Sequence, residues 1–152
     1  MSLLRGLVGV LVGLAISVGF VQFLELMLAN ALAGHGLQSL DEYAAALNTL
    51  PILALRVVIS SFMGLLGGYL CAKLAEHDQM RYTLMAVIFR AIAVIGGTAA
   101  HYMPPTPLWA LAVLLTVSSA FMLAGGAVRT AAAAAAGRRV NPNPGGTERS
   151  GS

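Results

Sequence analysis

Long apolar stretches separated by short polar breaks set the pattern of this chain. Leu7–Leu28 is interrupted only by Ser17, Gln22 and Glu25. Ile52–Ala72 carries one charge, Arg56, and Leu84–Met103 carries Arg90, with His101 near its end. Leu108–Val128 has no charge. A helix needs about 20 apolar residues to cross a bilayer core, and each stretch meets that length. The expected fold is all-α: a polytopic membrane protein with a four-helix transmembrane bundle over residues 1–130. Residues 131–152 form a tail, helical through its alanine run and disordered after Gly137.

The breaks support these spans. Pro51 stands at the start of the second, where a missing amide proton costs nothing. A charged segment from Lys73 to Arg81 separates the second from the third. Pro104, Pro105 and Pro107 make a turn that no helix crosses. In the first long connection, Ser39-Leu40-Asp41-Glu42 fits a capping box. Leu40, Tyr43, Ala44 and Leu47 then recur at helical spacing, which predicts a short interfacial helix over Leu40–Asn48 in the first outer loop.

Composition excludes the alternatives. Hydrophobic residues are 58% of the 152 and charged residues 10%, with mean hydropathy +0.81. A soluble domain this small leaves too much surface wet to hide that much apolar side chain. A disulfide scaffold is excluded because Cys71 is the lone cysteine. Lys and Arg set the direction. Arg5, Lys73, Arg81, Arg129, Arg138 and Arg139 all fall on one side of a four-span chain, and the two opposite loops contain neither residue type. This predicts a multi-pass protein of the bacterial inner (plasma) membrane with both termini cytoplasmic. A rival reading takes Ala31-Leu32-Ala33 as a signal-cleavage site, which would leave three spans.

Two sets of residues invite functional readings. The first is small residues at four-residue steps: Gly9, Gly13 and Ser17 on span one, and Ser60, Gly64, Gly68 and Ala72 on span two, with Gly67 beside them. Ala86, Ala93 and Gly97 on span three, and Ala120, Ala124, Gly125 and Gly126 on span four, offer further close-packing positions. The ridges of spans one and two are the best candidates for each other. Bundle packing and a self-association face are the two readings.

The second set is the intramembrane charges, each a functional hypothesis by default. At about 1.5 Å per residue, Glu25 lies ~30 Å from Arg5 and Arg56 ~25 Å from Lys73, both near the outer boundary. They either form an ion pair or each reach outward to interfacial water. Arg90 lies ~13 Å from Arg81, near the midplane, on one helix face with Gly97 and His101. Ser17, Ser60, Ser61, Ser118 and Ser119 fall a little outward of it and could complete a buried polar layer. The readings are a structural arginine or a polar-substrate or anion site.

Nothing implies catalysis, a metal or a cofactor. His35, His77 and His101 have no ligand spacing, and no nucleophile–base pair can be argued. The net charge of +3 is explained by arginines facing anionic lipid, so it makes no case for nucleic acid. Phe23-Leu24-Glu25, Leu50-Pro51, Gly67-Gly68 with Ala72-Lys73, and Pro107-Leu108-Trp109 together resemble a group of small four-span bacterial membrane proteins without assigned activity. That resemblance implies four spans and brings no catalytic residue. Small multidrug transporters share a glutamate in the first span, but theirs is central. Glutathione-handling four-span enzymes carry Arg-x-x-x-Asn, where this chain has Arg90 and Val94. The expected role is a structural or accessory protein packing on itself or on a membrane partner. The competing class is a small transporter or channel using Arg90, and a hydrated cavity reaching Arg90 would discriminate between them.

Overall fold

The structure is a computed structural model that describes residues 2–33, 39–75, 77–100 and 106–140. Every regular element among them is helical: α1 (Ser2–Leu14), a π-helical turn (Ala15–Phe20), α2 (Val21–Ala33), α3 (Leu40–Leu47), α4 (Leu50–Ala75), α5 (Gln79–Ala99) and α6 (Leu108–Val140). α1, the π turn and α2 run on as one rod. Four helices are long and apolar enough to cross a membrane: Leu3–Ala31, Leu50–Ala75, Gln79–Ala99 and Leu108–Ala136.

Their bounds differ from the apolar stretches for local reasons. α5 starts five residues before Leu84 because Asp78 adopts a left-handed conformation, φ 51°, and its carbonyl accepts from the amides of Arg81 and Tyr82. It ends at Ala99, where the Ala100 amide turns back to the Gly96 carbonyl, so it stops short of Met103. α6 does not end near Gly137 but continues to Val140, since alanine is the best helix former. His35, His101, Pro104, Pro105 and the chain after Val140 lie outside the described residues.

α3 begins where the capping signal places it. The Ser39 hydroxyl accepts from the Glu42 amide at 3.2 Å. The helix then buries Tyr43 and Leu47 against Ala29 of α2, with Ile52 of α4 alongside. α3 therefore closes over the corner where the first rod ends and α4 begins.

Arg5, Lys73, Arg81 and Arg129 mark one end of the long helices, here the basic end. Packing is tightest in that half. A Cβ on Gly13 would lie 3.0 Å from the Gly67 carbonyl oxygen, and one on Gly67 2.9 Å from the Gly13 carbonyl oxygen. A Cβ on Gly9 would lie 2.7 Å from the Cys71 carbonyl oxygen. On the other side of α4, a Cβ on Gly64 would lie 2.6 Å from the Ser118 carbonyl oxygen. One on Gly68 would fall on the Met122 carbonyl, and one on Gly125 on that of Leu65. Backbone meets backbone here because no side chain intervenes. Val10, Cys71, Ala86 and Met122 fill the space between.

These contacts correct the expected pairing of ridges. Span one packs on Gly67 and Cys71 of α4, whereas Gly64 and Gly68 pack on α6. Neighbouring positions on a helix are turned by about 100°, so Gly67 and Gly68 serve different partners. Ala93, Ala120 and Ala124 are exposed. Ala86, Gly125 and Gly126 are buried as expected, and Ser118 and Met122 join Gly125 on the close-packing face of α6.

The far half is looser. α5 has the smallest buried share of the four long helices, 17% against 33% for α4. Nothing lies within 4 Å of a Cβ built on Gly96 or Gly19.

Candidate functional site

Three ionisable side chains are buried in the far half: Glu25 at 2% exposure, Arg56 at 5% and Arg90 at 3%. Glu25 comes from α2 and Arg56 from α4, whose antiparallel course brings the two to one level. Arg56 Nε donates to Glu25 Oε1 at 2.9 Å and Arg56 Nη2 to Oε2 at 3.1 Å, a bidentate pair. The Arg56 Nη1 is buried and has no hydrogen-bond partner. Tyr43, buried above the pair on α3, has its phenol pushed up to about 12, first by burial and then by the Glu25 carboxylate.

Arg90 lies about one helical turn closer to the basic end. Its partners are neutral. Nη2 donates to Ser60 Oγ at 3.0 Å and Nη1 to Ser118 Oγ, while Nε points to the Ser17 carbonyl oxygen at 3.5 Å. The Ser118 hydroxyl donates its hydrogen bond to the Leu114 carbonyl, which leaves its lone pairs for Arg90. Ser17 sits within the π turn, where the ladder slips by one residue and carbonyls leave their usual α-helical alignment. Its own Oγ is buried without a partner. Among the described residues no carboxylate reaches Arg90.

A cavity of about 50 Å³ joins these groups. At roughly 10–15 Å³ per water it has room for about three to five. Ser17, Val21, Gln22 and Glu25 line it from the first rod, and Arg56 and Ser60 from α4. Arg90, Val94 and Thr98 line it along one face of α5, and Leu111, Leu114 and Leu115 along α6. Thr106, just before α6, carries it to the far end. Toward the basic end lie the close backbone contacts of Gly13, Gly64, Gly67 and Gly68.

The structure thus brings Glu25 to Arg56, and Ser17, Ser60 and Ser118 to Arg90. It does not bring Ser61 or Ser119 to the arginine. Ser61 donates to the Val57 carbonyl of its own helix at 2.6 Å, and Ser119 is half-buried. Gly97 is half-buried outside the cavity lining, because the lining face of α5 runs through Val94 and Thr98. Ala72 is fully buried. His101 lies outside the described residues.

Sequence reasoning did not find the π turn, nor Gln22, Thr98 and Thr106 as lining residues. Gln22 and Glu25 share one helix face three residues apart, which was the available signal.

Comparison with known proteins returns no match: no family model, no curated protein and no solved structure is significantly similar to this chain.

Proposed function

We propose that this chain is a four-span protein of the bacterial inner membrane. Its basic end and both termini face the cytoplasm, and α3 lies on the outer surface. Its role is to bind a small polar solute that enters from outside and stops at Arg90. The observation that carries this reading is the cavity that runs from Thr106 to a buried guanidinium lacking a counter-charge. A purely structural arginine has no need of a void beside it. The basic loop and tail support the orientation by their excess of Lys and Arg.

The scaffold reading draws on the small-residue ridges. Yet Gly9, Gly13, Gly64, Gly67, Gly68 and Gly125 all meet backbone of this same chain, so those faces are already occupied. An open channel is disfavoured for the same reason.

The test is side-specific thiol labelling of Thr98→Cys in a Cys71→Ala background, using a membrane-impermeant maleimide. Labelling is expected from the periplasmic side and not from inside-out vesicles. Reaction only from the cytoplasmic side, or none until detergent is added, would overturn the reading.

A further inference from the structure

We propose that the solute held in this cavity is a small monovalent anion, bound between Arg90, the free Nη1 of Arg56 and the hydroxyl of Ser17. The inference rests on the cavity being open to water from outside, and deepens that reading by naming the ligand's chemistry.

Charge is the first argument. The cavity holds two guanidinium groups and one carboxylate. Guanidinium does not give up its proton in proteins. Both Glu25 oxygens are engaged by Arg56, and Arg90's own bonds go to neutral groups. One positive charge remains, buried to 3% exposure among hydroxyls, a carbonyl and leucines. An isolated buried charge is costly unless paired. A bound monovalent anion removes that cost. A cation or a neutral solute does not, and a divalent anion overshoots.

Unfilled hydrogen bonding is the second, independent argument. Arg56 Nη1 and Ser17 Oγ are both buried without partners, and both residues line the cavity. Arg56 precedes Ser60 by about one helical turn, ~6 Å, so its guanidinium and that of Arg90, which bonds Ser60, are within reach of one small ion. Arg90 already donates to the Ser17 carbonyl and to the Ser60 and Ser118 hydroxyls, all neutral acceptors, and Arg56 donates to Glu25, so the donors left over are Arg56 Nη1 and the Ser17 hydroxyl. Such a set selects an acceptor-rich ligand.

Size is the third. About 50 Å³ admits a halide, nitrate or formate and excludes anything with a sugar-sized body.

The experiment uses the full chain in mild detergent at fixed ionic strength, with sodium gluconate replaced stepwise by chloride, nitrate or formate. The thermal midpoint is expected to rise saturably with each small anion. Ser17→Ala, which removes a hydroxyl that bonds nothing, is expected to weaken half-saturation about three- to tenfold, the scale of one lost hydrogen bond. Arg90→Gln is expected to abolish the response. Should Arg90→Gln fail to fold, chloride-35 line broadening on wild type and Ser17→Ala gives the same comparison, with formate displacing chloride. A midpoint indifferent to the gluconate exchange, or half-saturation unchanged in Ser17→Ala, overturns the proposal. Loss of the anion response with Thr98→Cys still labelled from outside refutes the ligand class and leaves the cavity reading standing. Failure of the labelling removes both.

Discussion

Replacing Glu25 by glutamine strands the Arg56 charge. Both partners are nearly fully buried and joined by bonds of 2.9 and 3.1 Å. Removing one member of such a pair costs about 3–5 kcal/mol, because the other charge stays behind without compensation. The adjoining cavity lets water approach Arg56, so the lower end of that range, about 3 kcal/mol, is expected. Arg56→Gln should cost a similar amount by stranding the carboxylate. Glu25→Gln with Arg56→Gln should cost far less than the sum, since neither charge is then left behind without its partner. The exchanged pair Glu25→Arg with Arg56→Glu should recover part of the loss. Equilibrium unfolding in mixed micelles, run as a double-mutant cycle, measures each difference. Single-variant losses below about 1 kcal/mol, or strictly additive losses, would refute the claim that the two charges depend on each other.

Other positions give contrasting expectations. Gly68→Ala and Gly125→Ala place a methyl on a neighbouring carbonyl and should each lose about 1–3 kcal/mol by forcing helices apart. Gly19→Ala and Gly96→Ala have open space and should be neutral or gain about 0.5–1 kcal/mol from helix propensity, on the same unfolding assay. Ser118→Ala removes an acceptor from a buried guanidinium and should cost about 1–3 kcal/mol. The Tyr43 phenol binds its proton more tightly folded than unfolded, with an ordinary value near 10 and a folded value of about 12. Its contribution is therefore whole below pH ~10 and is lost as pH rises toward about 12. Tyrosinate absorbance should show this ring as the late titrant, and a Tyr43→Phe variant should lack that step.

Depth was legible in the sequence, and rotation was only partly so. Counting residues from the charged ends put Glu25 level with Arg56, and Arg90 near three of the serines it meets. A count along an axis fixes height to within a turn, and antiparallel neighbours share that height. Which of Ser60 and Ser61, or Ser118 and Ser119, faces the arginine depends on about 100° of rotation per residue. That rotation is set by how α4 divides its glycines between two partners. The repeat at Ser60, Gly64 and Gly68 was visible, but nothing in it names α6 rather than the first rod. The π turn left no composition signal, because it replaces one hydrogen-bonding register with another using the same apolar residues. The cavity is a property of what is missing between four surfaces, and single residues do not announce it.

The clasp of bare backbones at Gly13, Gly67, Gly64 and Gly68 has one further consequence. Whatever reaches Arg90 finds a floor beneath it where peptide groups of neighbouring helices already touch and the buried side chains of Val10, Cys71, Ala86 and Met122 fill what is left. Departure by the entrance is thus the ready route, and passage onward would require whole rods to part company.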